Sequence, residues 1–415
     1  MTASTAHLVS AYGPPTAHAL EPTRPDERIQ TLDILRGFAM FGVLWSNLND
    51  WYGAVDETTA LDRALSWTQQ WLLESRFYTL LAFLFGIGFA MQILRAESTG
   101  QDVRWMYMRR LGVLLLFGVA HGMLLWSGDI LTGYALMGFV LLLFRGLKPR
   151  GLLVAAAVML LVVPWIVAAL FAVFHVQMIV PPNHTTASWI YGHGTVSQVL
   201  AVRAADYLDW LGRWPQQVYP PWVALFILGL FVGRTGFVQH LSERLGTVRR
   251  AFWIALAVTI AGVLCDLYLN KWWPAPRTRA ADFAEMLTRT PRFLVGRLTG
   301  NLSTWGMAAA FASALTLLAH RPGWSKRLAP LAATGRMPLT TYLGQSLVCT
   351  MLFSSYGLGW YGSRGMTGFF VLTLVLFGAQ MAASVWWLER YRFGPAEWVW
   401  RSLSYGARQP MRQAA

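Results

Sequence analysis

Apolar windows of about 20 residues recur along the whole chain, each long enough to cross a hydrocarbon core of about 30 Å. Inside lipid no water pairs with stray backbone N–H and C=O groups, so a spanning segment must satisfy them as a helix or within a closed barrel. These windows are too long for barrel strands and do not alternate apolar with polar residues. The predicted fold class is therefore all-α: a polytopic bundle of about ten transmembrane helices, near residues 31–50, 72–94, 109–126, 129–145, 151–175, 221–239, 250–270, 298–319, 338–359 and 367–388. Composition agrees, with 55% hydrophobic and 13% charged residues over 415 positions. Such a balance argues for one membrane domain instead of two or three soluble ones.

Charge placement orients the bundle. With the N-terminus and C-terminus cytoplasmic, about 22 of the 34 Lys and Arg residues fall in inner segments and about 10 in outer ones. The net charge of +14 thus reflects topology, and no nucleic-acid partner is expected. Residues 271–297 are the exception, an outer loop with six basic residues, suited to an anionic ligand or to lipid head groups. Residues 1–27 read as a disordered cytoplasmic tail without the basic and apolar regions of a signal peptide. Cys265 and Cys349 both lie in spans and read as small buried hydrophobes.

The transmembrane domain, residues 28–390, has two long outer loops, 176–220 and 271–297. The first contains AVRAADYLDWLGRW, whose pattern predicts an amphipathic interfacial helix. The second predicts a short helix around DFAEMLTR. Residues 391–415 predict a cytoplasmic interfacial helix opened by Pro395, with Glu397 in its first turn. No internal repeat of the transporter kind is visible.

The first span carries an unusual polar stripe. Asp33 and Arg36 are helix neighbours at i, i+3. Asn47 stands eleven residues beyond Arg36, nearly on the same face and about 16 Å further along. Ionisable groups inside a membrane are costly and are by default candidates for function. Separately, Asp33 suits a helix cap, Arg36 a snorkelling cation and Asn47 a helix end.

LDILRGFAMFGVLWSN, HGMLLWSGDILTGYALMG, GRMPLTTYLGQSLVCTMLF and RFGPAEWVWR, in this order, resemble the YeiB-like family of bacterial inner-membrane proteins from residue 28 to about 405. The opening motif is also similar to the first span of transmembrane acyltransferases, of the heparan-alpha-glucosaminide N-acetyltransferase and sugar O-acyltransferase types. That resemblance implies a multi-pass inner-membrane protein moving an acyl group from cytoplasmic acyl-CoA to a small-molecule, sugar or lipid acceptor outside. The sugar O-acyltransferases place a catalytic histidine eleven positions after the arginine, where this chain has Asn47. The glucosaminide acetyltransferases place theirs in the following loop, yet no histidine occurs here between His18 and His121.

His121 is then the candidate base, able to take a proton from the acceptor. Helix rise places it about 7 Å below the outer end of its span. Asn47 and Asn301 reach a similar depth and are candidates for polarising the developing oxyanion. Asp129 follows a Ser-Gly turn and reads as the cap of the next helix, roughly 7–9 Å nearer the surface than His121. Tyr134 is the residue opposite His121 in an ideal hairpin. Arg36 and Arg336 suit the donor's phosphates, with Pro338 opening a helix just after Arg336. Arg110 suits the same phosphates, or is accounted for by the charge rule for inner loops. Gln345, Gln380 and Tyr342 suit either a cavity wall or contacts between helices. No metal site, Walker loop or dinucleotide fingerprint is predicted. Two other functions fit the same residues: a transporter or flippase with a polar path and His121 with Asp129 as a proton-coupling pair, which requires an irregular turn between them, or a non-catalytic receptor or scaffold. Membrane lipids are expected partners, and a homodimer is compatible with the sequence.

Overall fold

The computed structural model describes residues 28–52, 59–73, 75–98, 103–173, 184–212, 220–272, 291–362 and 365–413. The tail 1–27 and the predicted short helix around DFAEMLTR lie outside these residues. The described residues are helical, with no β-strand beyond one isolated bridge, Tyr391 to Arg412.

The helices are α1 (Gln30–Tyr52), α2 (Ala60–Thr68, continued by a π turn Gln69–Leu73), α3 (Arg76–Ser98), α4 (Val103–Leu124), α5 (Leu131–Leu141), α6 (Pro149–Leu161), α7 (Val163–Val173), α8 (His184–His193) and α9 (Val196–Gly212). They continue as α10 (Pro220–Arg234), α11 (Leu245–Trp272), α12 (Pro291–Ala319), α13 (Trp324–Arg327), α14 (Ala329–Arg336), α15 (Pro338–Phe353), α16 (Met366–Leu388) and α17 (Pro395–Tyr405). Pro149, Pro338 and Pro395 open α6, α15 and α17, where a missing N–H costs nothing and the fixed φ suits a first turn.

Every apolar window lies on a helix or helix pair. Five segments are long and apolar enough to cross a membrane: Arg76–Arg95, Pro149–Val167, Ser242–Tyr268, Leu298–Ala319 and Met366–Leu388. Leu131–Phe144 and Pro221–Arg234 are shorter apolar helices. Helices α1 and α4 carry charges and α15 has 16 residues, so these three fall short of that standard. Large apolar side chains stand exposed on the outer helices, among them Trp253, Ile260 and Leu264 of α11 and Val371 and Val375 of α16. Such a continuous apolar exterior belongs against lipid.

Helix α1 is the axis of the bundle, packing against α3, α12, α14, α15 and α16. Its inner face, including Ala39, Met40, Val43 and Leu44, is buried. The crossing with α14 is made by glycines. A Cβ on Gly37 would lie 2.0 Å from the Leu331 carbonyl oxygen, and one on Gly335 would lie 1.8 Å from that of Asp33. Small residues let two backbones approach in this way, where lipid supplies no hydrophobic drive between helices.

Two peripheral helices do more than lie at an interface. Helix α9 packs on α4 and buries Val199, Arg203 and Tyr207, spaced i, i+4, i+8 along one face. Helix α17 packs on α4 and α15. Its Glu397 stands in the first turn of its own helix, as expected, and also reaches the start of a second one. It accepts hydrogen bonds from Leu339 N–H (2.6 Å), Thr340 N–H (3.1 Å) and the Thr340 hydroxyl (2.5 Å), capping α15. Burial pushes the Glu397 carboxyl up from its ordinary range, and these hydrogen bonds oppose that shift.

Candidate functional site

A cavity of about 540 Å³ opens between α1, α3, α4, α15 and α17. Six arginines line it, Arg28, Arg36, Arg95, Arg110, Arg336 and Arg401, against two carboxylates, Asp33 and Glu397. All eight sit at or near the helix ends that α1 begins from. The opposite end is formed by Ile130, Leu131, Tyr134 and Tyr342. The cavity is therefore cationic at its mouth and apolar to phenolic at its depth.

Arg36 donates to Asp33 at 2.8 Å. Arg110 is buried, lines the cavity with Arg36 and Arg336, and stacks on Trp400 at 4.4 Å. Trp400 Nε1–H in turn donates to the Arg110 carbonyl at 2.9 Å. Arg336 Nε and Arg401 Nε are buried without a hydrogen-bond partner among the described residues. Burial and the neighbouring Arg110 pull Arg401 down to about 10, which leaves it cationic at neutral pH. Burial, with repulsion from Arg336, also lowers Arg28, while Asp33 pulls it back. Buried unpaired N–H groups and mutually repelling cations call for an anion.

Beyond the deep end lies a relay in which His121 and Asp129 pair and Ser346, absent from the sequence reading, joins them. His121 Nδ1 is 2.8 Å from Asp129 Oδ1, and His121 Nε2 is 2.7 Å from Ser346 Oγ. The His121 and Asp129 side chains are both fully buried. A proton on Nδ1, facing the carboxylate, leaves Nε2 free to accept the Ser346 hydroxyl. These are the contacts of a Ser–His–Asp relay, which is recognised by geometry and not by sequence order. Tyr342 stands between relay and cavity, its ring 4.8 Å from that of His121.

The expectation that Asp129 sits at the surface, apart from His121, is thus corrected. It is a cap, since its Oδ2 accepts Thr132 N–H at 2.6 Å, but a buried one. Two features bring it down. The last turn of α4 widens, so that Leu125 and Trp126 N–H both reach the His121 carbonyl at 2.9 Å. Gly118, one turn before His121, leaves the space where Asp129 lies: a Cβ there would be 2.8 Å from Oδ2. The final α4 carbonyls find outside donors, Arg203 on Leu124 (2.8 Å) and the Thr350 hydroxyl on Leu125 (2.9 Å).

The remaining predicted residues take other places. Asn47 is buried, and its Oδ1 accepts the Tyr78 hydroxyl instead of facing His121. Tyr134 does line the cavity, but its hydroxyl donates to the Tyr78 carbonyl at 2.7 Å and not to His121. Asn301 is half-buried on α12 and does not line the cavity. Gln345 joins helices: its Nε2 donates to the Met40 carbonyl (3.3 Å) and to Gln380 Oε1 (3.1 Å). Asp33, Arg36 and Arg336 do share the cavity. The sequence reading missed Ser346, Arg28, Arg401 and Arg203. Ser346 had one signal, the spacing Tyr342, Ser346, Thr350, which aligns three polar groups on one face of an apolar helix. Cys349 is buried and Cys265 half-buried, both as free thiols.

Among known proteins, a family described as protein of unknown function, DUF418, matches residues 232–407. That stretch contains Arg336, Tyr342, Ser346, Glu397 and Arg401, while His121 and Asp129 precede it. An uncharacterised protein of Bacillus subtilis, YxaH, is 30% identical over 419 residues, 95% of this chain and 98% of the relative. An uncharacterised protein of Escherichia coli, YeiB, is 30% identical over 413 residues, 92% of this chain and 98% of the relative. Identity at that level across both whole chains places this protein in the YeiB-like (DUF418) family.

Proposed function

We propose that this protein is a bacterial inner-membrane acyltransferase of about ten spans with both termini cytoplasmic. It takes an acyl group from a cytoplasmic acyl-CoA and delivers it to an acceptor at the outer face. The observation that supports this reading best is the cationic cavity ending at Tyr342, with the buried Asp129–His121–Ser346 relay directly behind it. A coenzyme A thioester matches that polarity, with phosphates at one end and an uncharged reactive carbonyl at the other. The volume of about 540 Å³ falls within the usual range of small-molecule sites.

In this reading Arg28, Arg36 and Arg336 hold the phosphates, by charge-assisted hydrogen bonds. His121 is the base, and Asp129 fixes its tautomer and orientation. Asn47 acts at one remove, holding Tyr78, whose carbonyl in turn positions the Tyr134 hydroxyl. Arg203 and Tyr207 of α9 close the relay from the outer side, Tyr207 through a 2.8 Å hydrogen bond to Thr132.

Equilibrium binding of acetyl-CoA to the purified protein tests this. Saturable binding, competed by free coenzyme A and weakened roughly tenfold or more by Arg336→Ala, is the expected result. Absence of binding, together with uptake of solute into proteoliposomes, would replace the reading with a transporter. Absence of both would leave a receptor or scaffold.

A further inference from the structure

Resting on the acyl-transfer reading, we infer that Ser346 is a nucleophile that carries the acyl group as a covalent ester between the two substrates. A histidine acting only as a base for an incoming acceptor would have Nε2 turned to the space that acceptor enters. Here Nε2 is already occupied by Ser346 Oγ at 2.7 Å, while Nδ1 is held by Asp129 at 2.8 Å. The hydroxyl best placed to lose a proton to His121 therefore belongs to the protein itself.

The surroundings fit a two-stage reaction. Ser346 lies one helical turn beyond Tyr342 on the same face of α15, about 6 Å along the axis. Tyr342 lines the donor cavity, and among the described residues its hydroxyl takes one long hydrogen bond, 3.3 Å from Ile130 N–H. Tyr342 is the side chain set between cavity and relay, and the thioester reaches Ser346 only when this side chain turns aside. On the other side, the relay is covered by α9, through Tyr207 on Thr132 and Arg203 on the Leu124 carbonyl. Two separate covers mean that donor and acceptor reach Ser346 from opposite directions. A covalent stage lets coenzyme A leave before the acceptor arrives, so no open channel through the membrane forms.

In the first stage Ser346 Oγ attacks the thioester carbonyl, and its proton passes to His121 Nε2. The C–S bond breaks, and the thiolate takes that proton and departs as free thiol. In the second, an acceptor hydroxyl or amine gives its proton to His121 Nε2 and attacks the ester carbonyl. The bond from Ser346 Oγ to carbon breaks, and Ser346 recovers the proton. Atoms and charges balance with no further reactant.

Rapid-quench labelling with radiolabelled acetyl-CoA in liposomes, followed by peptide mapping, tests this. One adduct on Ser346 is expected, forming with the burst of free thiol. It should vanish in Ser346→Ala while acetyl-CoA affinity stays within about twofold, and turnover should fall by about 10³-fold. In Ser346→Cys the adduct should reappear as a thioester, cleaved by neutral hydroxylamine. Thiol release by the wild type without a Ser346 adduct, or turnover retained by Ser346→Ala, would overturn the nucleophile and leave the acyl-transfer reading standing. Neither binding nor thiol release by the wild type would overturn both.

Discussion

One carboxylate, that of Asp129, holds His121 Nδ1 at 2.8 Å through Oδ1 and the Thr132 N–H at 2.6 Å through Oδ2. The cap that starts α5 and the group that orients the histidine are the same side chain. The shape of the α4–α5 hairpin and the tautomer of His121 are therefore coupled.

Asp129→Asn separates the two roles. The amide oxygen can still cap α5, but the amide cannot supply the charge that steadies a protonated His121. Turnover should drop by about 10²–10⁴-fold, with only a small change in thermal stability. Asp129→Ala loses the cap as well, at a cost of about 1 kcal/mol or more. Acyl-CoA turnover and thermal unfolding in detergent, measured side by side, distinguish the two.

The glycine crossing of α1 and α14 sets the distance between Arg36 and Arg336. Gly335→Ala would force its Cβ to 1.8 Å from the Asp33 carbonyl oxygen, so the helices must separate. Overpacking of this kind costs about 1–3 kcal/mol. Acetyl-CoA affinity should fall along with stability, whereas Gly296→Ala, with open space around its Cβ, should change neither.

Glu397 ties helix α17 to the start of α15, beside Arg336. Glu397→Ala strands two backbone N–H groups, those of Leu339 and Thr340, and should destabilise the protein by about 1–3 kcal/mol. Glu397→Gln keeps an acceptor oxygen and should recover part of that loss in the same unfolding assay.

Asp62 gives a pH dependence at the start of α2. Hydrogen bonds from the Thr367 hydroxyl and the Thr59 hydroxyl, then from Thr367 N–H, hold its carboxyl well below the ordinary carboxylate range, against a smaller opposing effect of burial. A depressed folded-state value means that its contribution is fully present above the unfolded carboxylate value. It is lost as pH falls through the folded one. Asp62→Asn should therefore lower the melting temperature at neutral pH. Its deficit should shrink only under strongly acidic conditions, as read from melting curves across pH.

Much of the helix framework was legible because lipid imposes a simple length rule and proline marks first turns, as at Pro338 and Pro395. The cavity was half legible. Arg36 and Arg336 stood out and Arg110 had two readings, while Arg28 and Arg401 gave no signal, since sequence does not tell which way a guanidinium turns. The His121–Asp129 contact was hidden by treating the hairpin as two ideal helices. Gly118 and the widened end of α4 break that idealisation. Ser346 was hidden for a plainer reason: a serine in an apolar helix usually bonds its own backbone, and only the fold brings α15 to α4.

The most direct test of the central claim is release of free thiol from acetyl-CoA by the protein in liposomes, comparing wild type with His121→Ala. A burst of thiol from the wild type, and a release slower by about 10³-fold or more in the variant, are expected, with acetyl-CoA still bound. Equal release by both proteins, or none by either, would contradict the claim.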